Sequence, residues 1–168
     1  MSFEPKLHPD PLCRVVLVEP LIPENTGNVS RTCVATESEL HLVEPMGFEI
    51  TESRVKRAGL DYWADLAWQK HRSFDDWAVG VRDSSRVFLV ETTGEETIFD
   101  VEFQRGDWLV FGKETSGLDA RMLRHDALAN ARVVKIPMPG TTRSLNLSNA
   151  VAVGVFELLR QTRKPART

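Results

Sequence analysis

Five short apolar runs, separated by stretches of helical periodicity, constrain this chain more than any other feature. Residues 14–19 (Arg14, Val15, Val16, Leu17, Val18, Glu19), 39–43, 87–90, 108–111 and 133–136 are nearly continuous in Val, Leu, Ile and Phe. A strand with one face in water alternates apolar with polar residues. A strand buried on both faces does not, and burial on both faces belongs to parallel sheets covered by helices. The expected fold class is α/β, with a mostly parallel sheet flanked by helices.

The segments between the runs agree. Residues 20–23 carry two prolines that stop the first strand, and Asn25 or Thr26 can cap a helix in which Val29, Cys33 and Val34 recur at helical spacing. The strand at 39–43 ends at Pro45 and Gly47, which completes one β-α-β unit. Further helices are expected from 53 to about 68, over 74–81, and from a cap at Asp119 through Leu128. The last helix, from 145 to about 160, is apolar nearly all round between Ala150 and Phe156, which points to a core or a subunit interface. Ala150, Ala152 and Gly154 would permit close approach. The β-branched alternation there also fits a strand, but Asn146 and Asn149 before it and residues 157–160 after it favour a helix.

A chain of 168 residues suits a single domain over 1–168, and 42% apolar with 27% charged residues is ordinary globular composition. Residues 1–12 are expected to form a flexible arm and 161–168 a basic tail. The net charge of −3 means that a polyanionic partner must be met by a local patch. Cys13 and Cys33 are too few for a disulfide framework and are expected as buried thiols in a reducing, cytoplasmic compartment. The first fourteen residues include three prolines and no long apolar stretch, so neither a signal peptide nor a membrane anchor is expected. His8, His41, His71 and His125 are scattered and fit no metal-ligand spacing, so no metal is expected.

Three loops at strand ends carry unusual residue choices. In 23–31, two amides, a glycine and Arg31 sit where strand gives way to helix. Asn25 alone is as readily a helix cap, but the planar guanidinium of Arg31 suits a phosphate. In 112–117, two glycines are separated by four residues, as in a phosphate cradle. A P-loop, however, needs Lys and then Ser or Thr directly after the second glycine, and here Leu118 and Asp119 follow. No GxGxxG follows the first strand, which argues against a dinucleotide fold. Glu114 stands at the centre of this turn, and as a lone residue it also fits an exposed loop carboxylate. In 136–149, apolar residues can line a flat organic ligand while hydroxyls and amides fix its polar edge. Ser148 and Asn149 also suit helix caps.

Together these three segments resemble the signature motifs of the SPOUT superfamily of RNA 2′-O-ribose methyltransferases. The phrases 44–48 and 57–62 are similar to those of the bacterial tRNA (cytidine/uridine-2′-O)-methyltransferases that act on the wobble nucleotide. The resemblance runs from about residue 15 to 160. It implies a C-terminal trefoil knot that binds S-adenosylmethionine, with S-adenosylhomocysteine as product, and it implies a homodimer whose sites borrow residues across the interface. It implies that Val90, Gly112, Ile136, Ser144 and Leu145 line the cofactor pocket. It also implies that Asn25, Arg31, Glu114, Ser144 and Asn146 act in catalysis or order the site. Lys113 departs from the family's pattern, which has proline there. The shared motifs leave open a sister activity on another tRNA position or on rRNA, and a non-catalytic RNA-binding module is a further alternative.

Arginine holds its proton to a pKa above roughly 12, so Arg31 is expected to position a phosphate rather than act as a base, with Ser144 or Asn146 orienting the hydroxyl. Arg54, Lys56 and Arg57 form one candidate RNA footprint for a tRNA partner, and Arg160, Arg163, Lys164 and Arg167 another. Tyr62 or Trp63 offers a stacking surface, although core packing suits Trp63 better.

Overall fold

In the computed structural model the described residues are 6–57 and 61–163, and of Lys56 the backbone alone. The chain order is β1 (Cys13–Val18), α1 (Pro23–Ala35), β2 (Glu39–Val43), α2 (Glu52–Arg57), β3 (Ala67–His71), α3 (Phe74–Ala78), β4 (Val87–Val90), β5 (Glu96–Thr97), β6 (Asp107–Phe111), α4 (Ala120–Leu123), β7 (Arg132–Lys135) and α5 (Leu147–Thr162). Single 3₁₀ turns cover Asp61–Asp65, Ser84–Arg86 and Asp126–Leu128.

The seven strands form one sheet in the order β3-β2-β1-β6-β4-β7-β5, and every ladder in it is parallel. The continuous apolar runs have the two-sided burial expected of them. Along β1, Val15 and Leu17 face the cluster that holds Val29 and Cys33 of α1 and Val151, Val155 and Leu158 of α5. Val16 and Val18 face the opposite cluster with Phe74, Trp77, Met122 and Leu128. Both thiols are buried, and burial pushes Cys13 up to about 12 and Cys33 well above its ordinary value, so neither is a nucleophile near neutral pH.

Several elements differ from the sequence expectation. The helix expected from 53 to 68 is the six-residue α2, a 3₁₀ turn and the start of β3. β3 is an edge strand whose Ala67 and Trp68 are buried while Lys70 is exposed, so no full apolar run marks it. The 3₁₀ turn at 126–128 separates α4 from the expected end at Leu128, although Asp119 caps α4 by accepting from Met122 N. β5 has only two residues. Residues 6–12, counted in the flexible arm, are tied down: Trp68 N donates to Lys6 O at 2.8 Å and Leu12 N to Glu37 O at 2.9 Å. At the other end α5 runs to Thr162, and Gln161 accepts from Phe103 N and donates to Val101 O. α5 is buried on one face rather than all round: Val151, Val155 and Leu158 are covered, whereas Phe156 is 53% exposed.

Candidate active site

The carboxyl ends of β4, β6 and β7 surround a cavity of about 300 Å³. This is where ligands collect in open parallel sheets. Val90, Gly112, Ile136, Ser144 and Leu145, far apart in sequence, all line it, with Glu114 at its edge. The turn 112–117 forms one wall. Gly117 N donates to Lys113 O at 2.9 Å, and Gly117 has φ +66°, the left-handed region that favours glycine. A β-carbon at Gly112 would lie 2.0 Å from the Gly117 carbonyl carbon, so the two arms of the turn meet only because residue 112 has no side chain. Lys113 does not disturb this turn. Its Nζ is 2.5 Å from Glu19 Oε2, at the end of β1 where Glu19 has φ +52°.

A chain of side-chain hydrogen bonds closes the cavity's flank. Glu114 accepts from Leu21 N at 2.8 Å, Ile22 N at 3.1 Å and Asn25 Nδ2 at 3.0 Å. Asn25 Oδ1 accepts from Asn146 Nδ2 at 2.9 Å, and Asn146 Oδ1 accepts from Ser148 N at 2.9 Å and Ser148 Oγ at 2.7 Å. The polarity of the chain is fixed at both ends, because a carboxylate only accepts and a backbone N–H only donates. Burial alone would raise the Glu114 carboxyl, but the bonds from Asn25, Leu21 N and Ile22 N outweigh it and hold the group below its usual range. The carboxylate also sits at the start of α1, where the helix dipole favours negative charge.

Asn25 is therefore not a cap. The N-cap of α1 is Ile22, with no side-chain cap bond and Pro23 in the first turn, and Asn25 is buried. The cap of α5 is Asn146 rather than Ser148 or Asn149.

Arg31 lies elsewhere. Six residues beyond Asn25, it is rotated by about 240° and displaced by about 9 Å along α1. Its side chain lines a second hollow of about 690 Å³ with Arg54 and Arg57 of α2, Phe48, Ile50 and Tyr62. The Arg31 guanidinium stands over the Tyr62 ring at 4.8 Å, and Tyr62 Oη donates to Gly27 O at 2.8 Å. Among the described residues neither Arg31 nor Arg57 has an ion pair, and Arg54 has only the exposed Glu49 at 3.8 Å. The chain thus carries a cavity flanked by a hydrogen-bonded network and a second hollow lined by three guanidinium groups.

The SpoU rRNA methylase family profile matches residues 13–156, which takes in both features. This chain belongs to the SpoU rRNA methylase family. Among its relatives, a Burkholderia cenocepacia (strain HI2424) protein named tRNA (cytidine(34)-2′-O)-methyltransferase is 48% identical over 148 residues, covering 88% of this chain and 94% of that protein. The Escherichia coli (strain K12) protein of the same name is 43% identical over 154 residues, covering 92% and 96%. A solved structure described as giving insight into 2-OH methylation of C/U34 on tRNA superposes with a TM-score of 0.79 at 42% identity, covering 89% of this chain and 95% of that one. The SpoU methyltransferase AviRb from Streptomyces viridochromogenes, solved with AdoMet, shares the fold at 23% identity and a TM-score of 0.73, covering 92% of this chain and 59% of that one.

Within this SpoU chain the five residues expected at the cofactor lie together, and Glu114, Asn25 and Asn146 form the network beside them. Arg31 joins Arg54 and Arg57 instead, and the side chain of Lys56 lies outside the described residues. Of the second basic cluster, Arg160 is neutralised by Glu157 through two bonds of 2.8 Å, and Lys164 and Arg167 are outside the described residues. In the phrase 57–62, residues 58–60 are also outside them. Trp63 packs in the core at 5% exposure.

Sequence reasoning missed Glu91, directly after the apolar run of β4. It lines the cavity and accepts from Leu118 N, and burial raises its carboxyl despite that bond. The histidines are less scattered than they read, since His41 Nδ1 and His71 Nε2 are 2.8 Å apart and His41 Nε2 is 2.6 Å from Glu39 Oε1. Burial and then the neighbouring His41 push His71 down to about 4, so that ring is neutral at pH 7. No group of three or more metal-ligating side chains occurs among the described residues, and no described helix is long and apolar enough to cross a membrane.

Proposed function

We propose that the protein transfers a methyl group from S-adenosylmethionine to the ribose 2′-hydroxyl of the wobble pyrimidine, cytidine or uridine, in the tRNA anticodon loop. The observation that carries this is the convergence of Val90, Gly112, Ile136, Ser144 and Leu145 on one cavity flanked by the Glu114–Asn25–Asn146 network. Relatives named for this reaction at position 34 align over 94% and 96% of their length, which supports the substrate.

The cavity fits the cofactor by its chemistry. About 300 Å³ is within the range of small-molecule sites, roughly 300–1,000 Å³. Its walls are the apolar Val90, Ile136, Leu145 and Leu147 and the backbone of a turn that admits no β-carbon at 112. Bound there, S-adenosylmethionine supplies a methyl group activated by its sulfonium. Val90, Ile136 and Leu145 hold the apolar part of the ligand and exclude water, while the 112–117 turn offers backbone groups to its polar edge. Glu114 and Asn25 keep the start of α1 and the start of α5 in register around the site.

Methyl transfer to a hydroxyl depends chiefly on alignment and on easing loss of the hydroxyl proton. Asn146 spends its carbonyl oxygen on the α5 cap and an amide N–H on Asn25, so Ser144, exposed on the cavity rim, is the better group to orient the hydroxyl. Arg31 grips the phosphate beside the target ribose, which stabilises negative charge developing on the ribose oxygen. Arg54 and Arg57 extend that positive track along the anticodon loop.

On a single chain Arg31 and the cavity line different hollows, so the working enzyme is proposed to be a homodimer in which Arg31 of one subunit faces the cavity of the other. The exposed Phe156 on α5, and Leu21, Ile22 and Leu145 at 37%, 42% and 38% exposure near the cavity rim, are the apolar surface available for pairing. The C-terminal segment is proposed to thread as a trefoil knot. Its residues 136–147 share the cavity with the 112–117 turn before α5 packs against α1, β1 and β6. A tRNA substrate and two buried thiols fit the cytoplasm.

Incubation of the protein with labelled S-adenosylmethionine and unfractionated tRNA, followed by nucleoside mapping, tests the assignment. Label is expected in a 2′-O-methylated pyrimidine at the first anticodon position. Label at another tRNA position, on a base, or none in tRNA would overturn it.

A further inference from the structure

A side chain as flexible as arginine grips a phosphate well only if something holds it beforehand, because rotamer freedom lost on binding weakens the contact. Arg31 is exposed, and among the described residues it has neither an ion pair nor a side-chain hydrogen bond. What it does have is an aromatic ring at 4.8 Å, the face of Tyr62. A cation over a ring face is attracted by the ring's quadrupole, and this contact orients the guanidinium without using any of its N–H donors.

The same tyrosine is tied to Arg31 a second time. Its hydroxyl donates to Gly27 O at 2.8 Å, and Gly27 is four residues before Arg31, so its carbonyl belongs to the helical turn from which Arg31 projects. Ser30 Oγ donates to the same carbonyl at 2.7 Å. Tyr62 is half-buried in the 3₁₀ turn Asp61–Asp65, which packs on α1. Ring and hydroxyl thus fix the guanidinium and the backbone beneath it relative to each other. A tyrosine whose ring face already carries a cation is also a poor platform for a base, which sets this arrangement apart from the stacking surface expected from sequence.

We infer that Tyr62 is a positioning residue for Arg31, holding the guanidinium over its ring and the Gly27 carbonyl through its hydroxyl so that all five N–H donors stay free for an RNA phosphate. This rests on the phosphate-gripping role proposed for Arg31. It adds that the preorganisation of that grip resides in a residue which itself touches neither donor nor phosphate.

The test is a double-mutant cycle read by steady-state methylation of tRNA, with donor affinity measured separately by calorimetry. Tyr62→Leu is expected to lower kcat/KM for tRNA by about three- to thirtyfold, the range of a cation–π contact. The affinity for S-adenosylmethionine is expected to stay unchanged. Tyr62→Phe, which keeps the ring, should recover most of that loss, and Tyr62→Trp should recover it as well. In an Arg31→Ala background Tyr62→Leu should cost nothing further. An undiminished effect of Tyr62→Leu in the Arg31→Ala background would show that Tyr62 acts on RNA directly and would overturn the inference. So would wild-type kinetics for Tyr62→Leu itself. If Tyr62→Leu unfolds, as melting would show, the Tyr62→Phe and Tyr62→Trp pair carries the test: loss of kcat/KM in both, equal to that of Arg31→Ala, overturns it. Failure of the wild-type enzyme to methylate tRNA would instead remove the proposed function, and is read before any variant.

Discussion

The two sides of α1 are built on opposite principles. On the side facing the sheet ends, the network side chains are paired with one another and with backbone N–H groups: Glu114 accepts three bonds, Asn25 donates one and accepts one, and Asn146 caps α5. On the other side Arg31, Arg54 and Arg57 line a hollow that also holds Glu24 and Glu49; Arg54 lies 3.8 Å from Glu49, and the contact that orders Arg31 is an aromatic face. A site for a small ligand gains from a scaffold whose hydrogen bonds are complete before binding. A site for a polyanion gains from donors left unspent, since a guanidinium already paired to a carboxylate would have to exchange one partner for another. The position of Asn25 and Arg31 six residues apart on one helix lets a single element serve both.

The comparison can be broken first at Arg31. Arg31→Ala is expected to lower kcat/KM for tRNA by about a hundredfold or more, the scale of removing a preorganised charged donor, with S-adenosylmethionine affinity unchanged by calorimetry. Arg31→Lys should recover only part, because a point charge lacks the bidentate fork. Near-normal turnover by Arg31→Lys would contradict the phosphate role. A smaller effect is expected from Arg54→Glu combined with Arg57→Glu. tRNA binding should weaken by about tenfold or more, and the slope of log affinity against log salt should fall by about 0.7 for each single-strand phosphate that is no longer neutralised. Unchanged affinity and slope would remove these two residues from the RNA surface.

The cavity side should fail through stability instead. Asn25→Ala leaves Asn146 short of a partner and is expected to cost about 1–3 kcal/mol in denaturant unfolding. Asn25→Asp should be worse at pH 7, because it places a second carboxylate where a donor stood 3.0 Å from Glu114. The smallest effect is the pH dependence. The Glu114 carboxyl is held below its usual 4.5, so its contribution to stability is present above pH 4.5 and is lost as the pH falls through the lower native value. Removing the Asn25 donor raises that native value toward the unfolded one, so less stability is lost to acid through Glu114, and the acid limb of a Tm-against-pH curve should be shallower in Asn25→Ala than in the wild type. Superimposable acid limbs would contradict the network.

Much of this was legible in the sequence, and the rest failed for identifiable reasons. Mostly apolar runs found β1, β2, β4, β6 and β7 because burial on both faces leaves few polar residues in them, the buried Glu39 and His41 of β2 being paired with each other. β3 escaped because an edge strand needs only its inner residues apolar, and Ala67 and Trp68 followed by Gln69, Lys70 and His71 give too short a run. The walls of the cavity were recognisable by family resemblance. The partners that hold them were not: Asn25 and Glu114 are 89 residues apart, Asn25 and Asn146 121 apart, and no local pattern encodes such a pairing. Asn25 near the start of a helix looks like a cap because most such residues are caps. Here the tertiary hydrogen bonds outweigh that local preference, and Ile22 takes the cap position without a side-chain bond.

The separation of the two halves on one chain is tested most directly by subunit complementation. Arg31→Ala lacks the phosphate grip, and Ser144→Trp, at an exposed rim position, obstructs the cavity. Each variant alone should be nearly inactive. Unfolding and refolding them together, or co-expressing them, should restore about a quarter of wild-type activity, because half of the random dimers are mixed and each mixed dimer has one intact pairing of cavity and Arg31. No recovery in a mixture shown to contain mixed dimers would contradict a site shared between subunits.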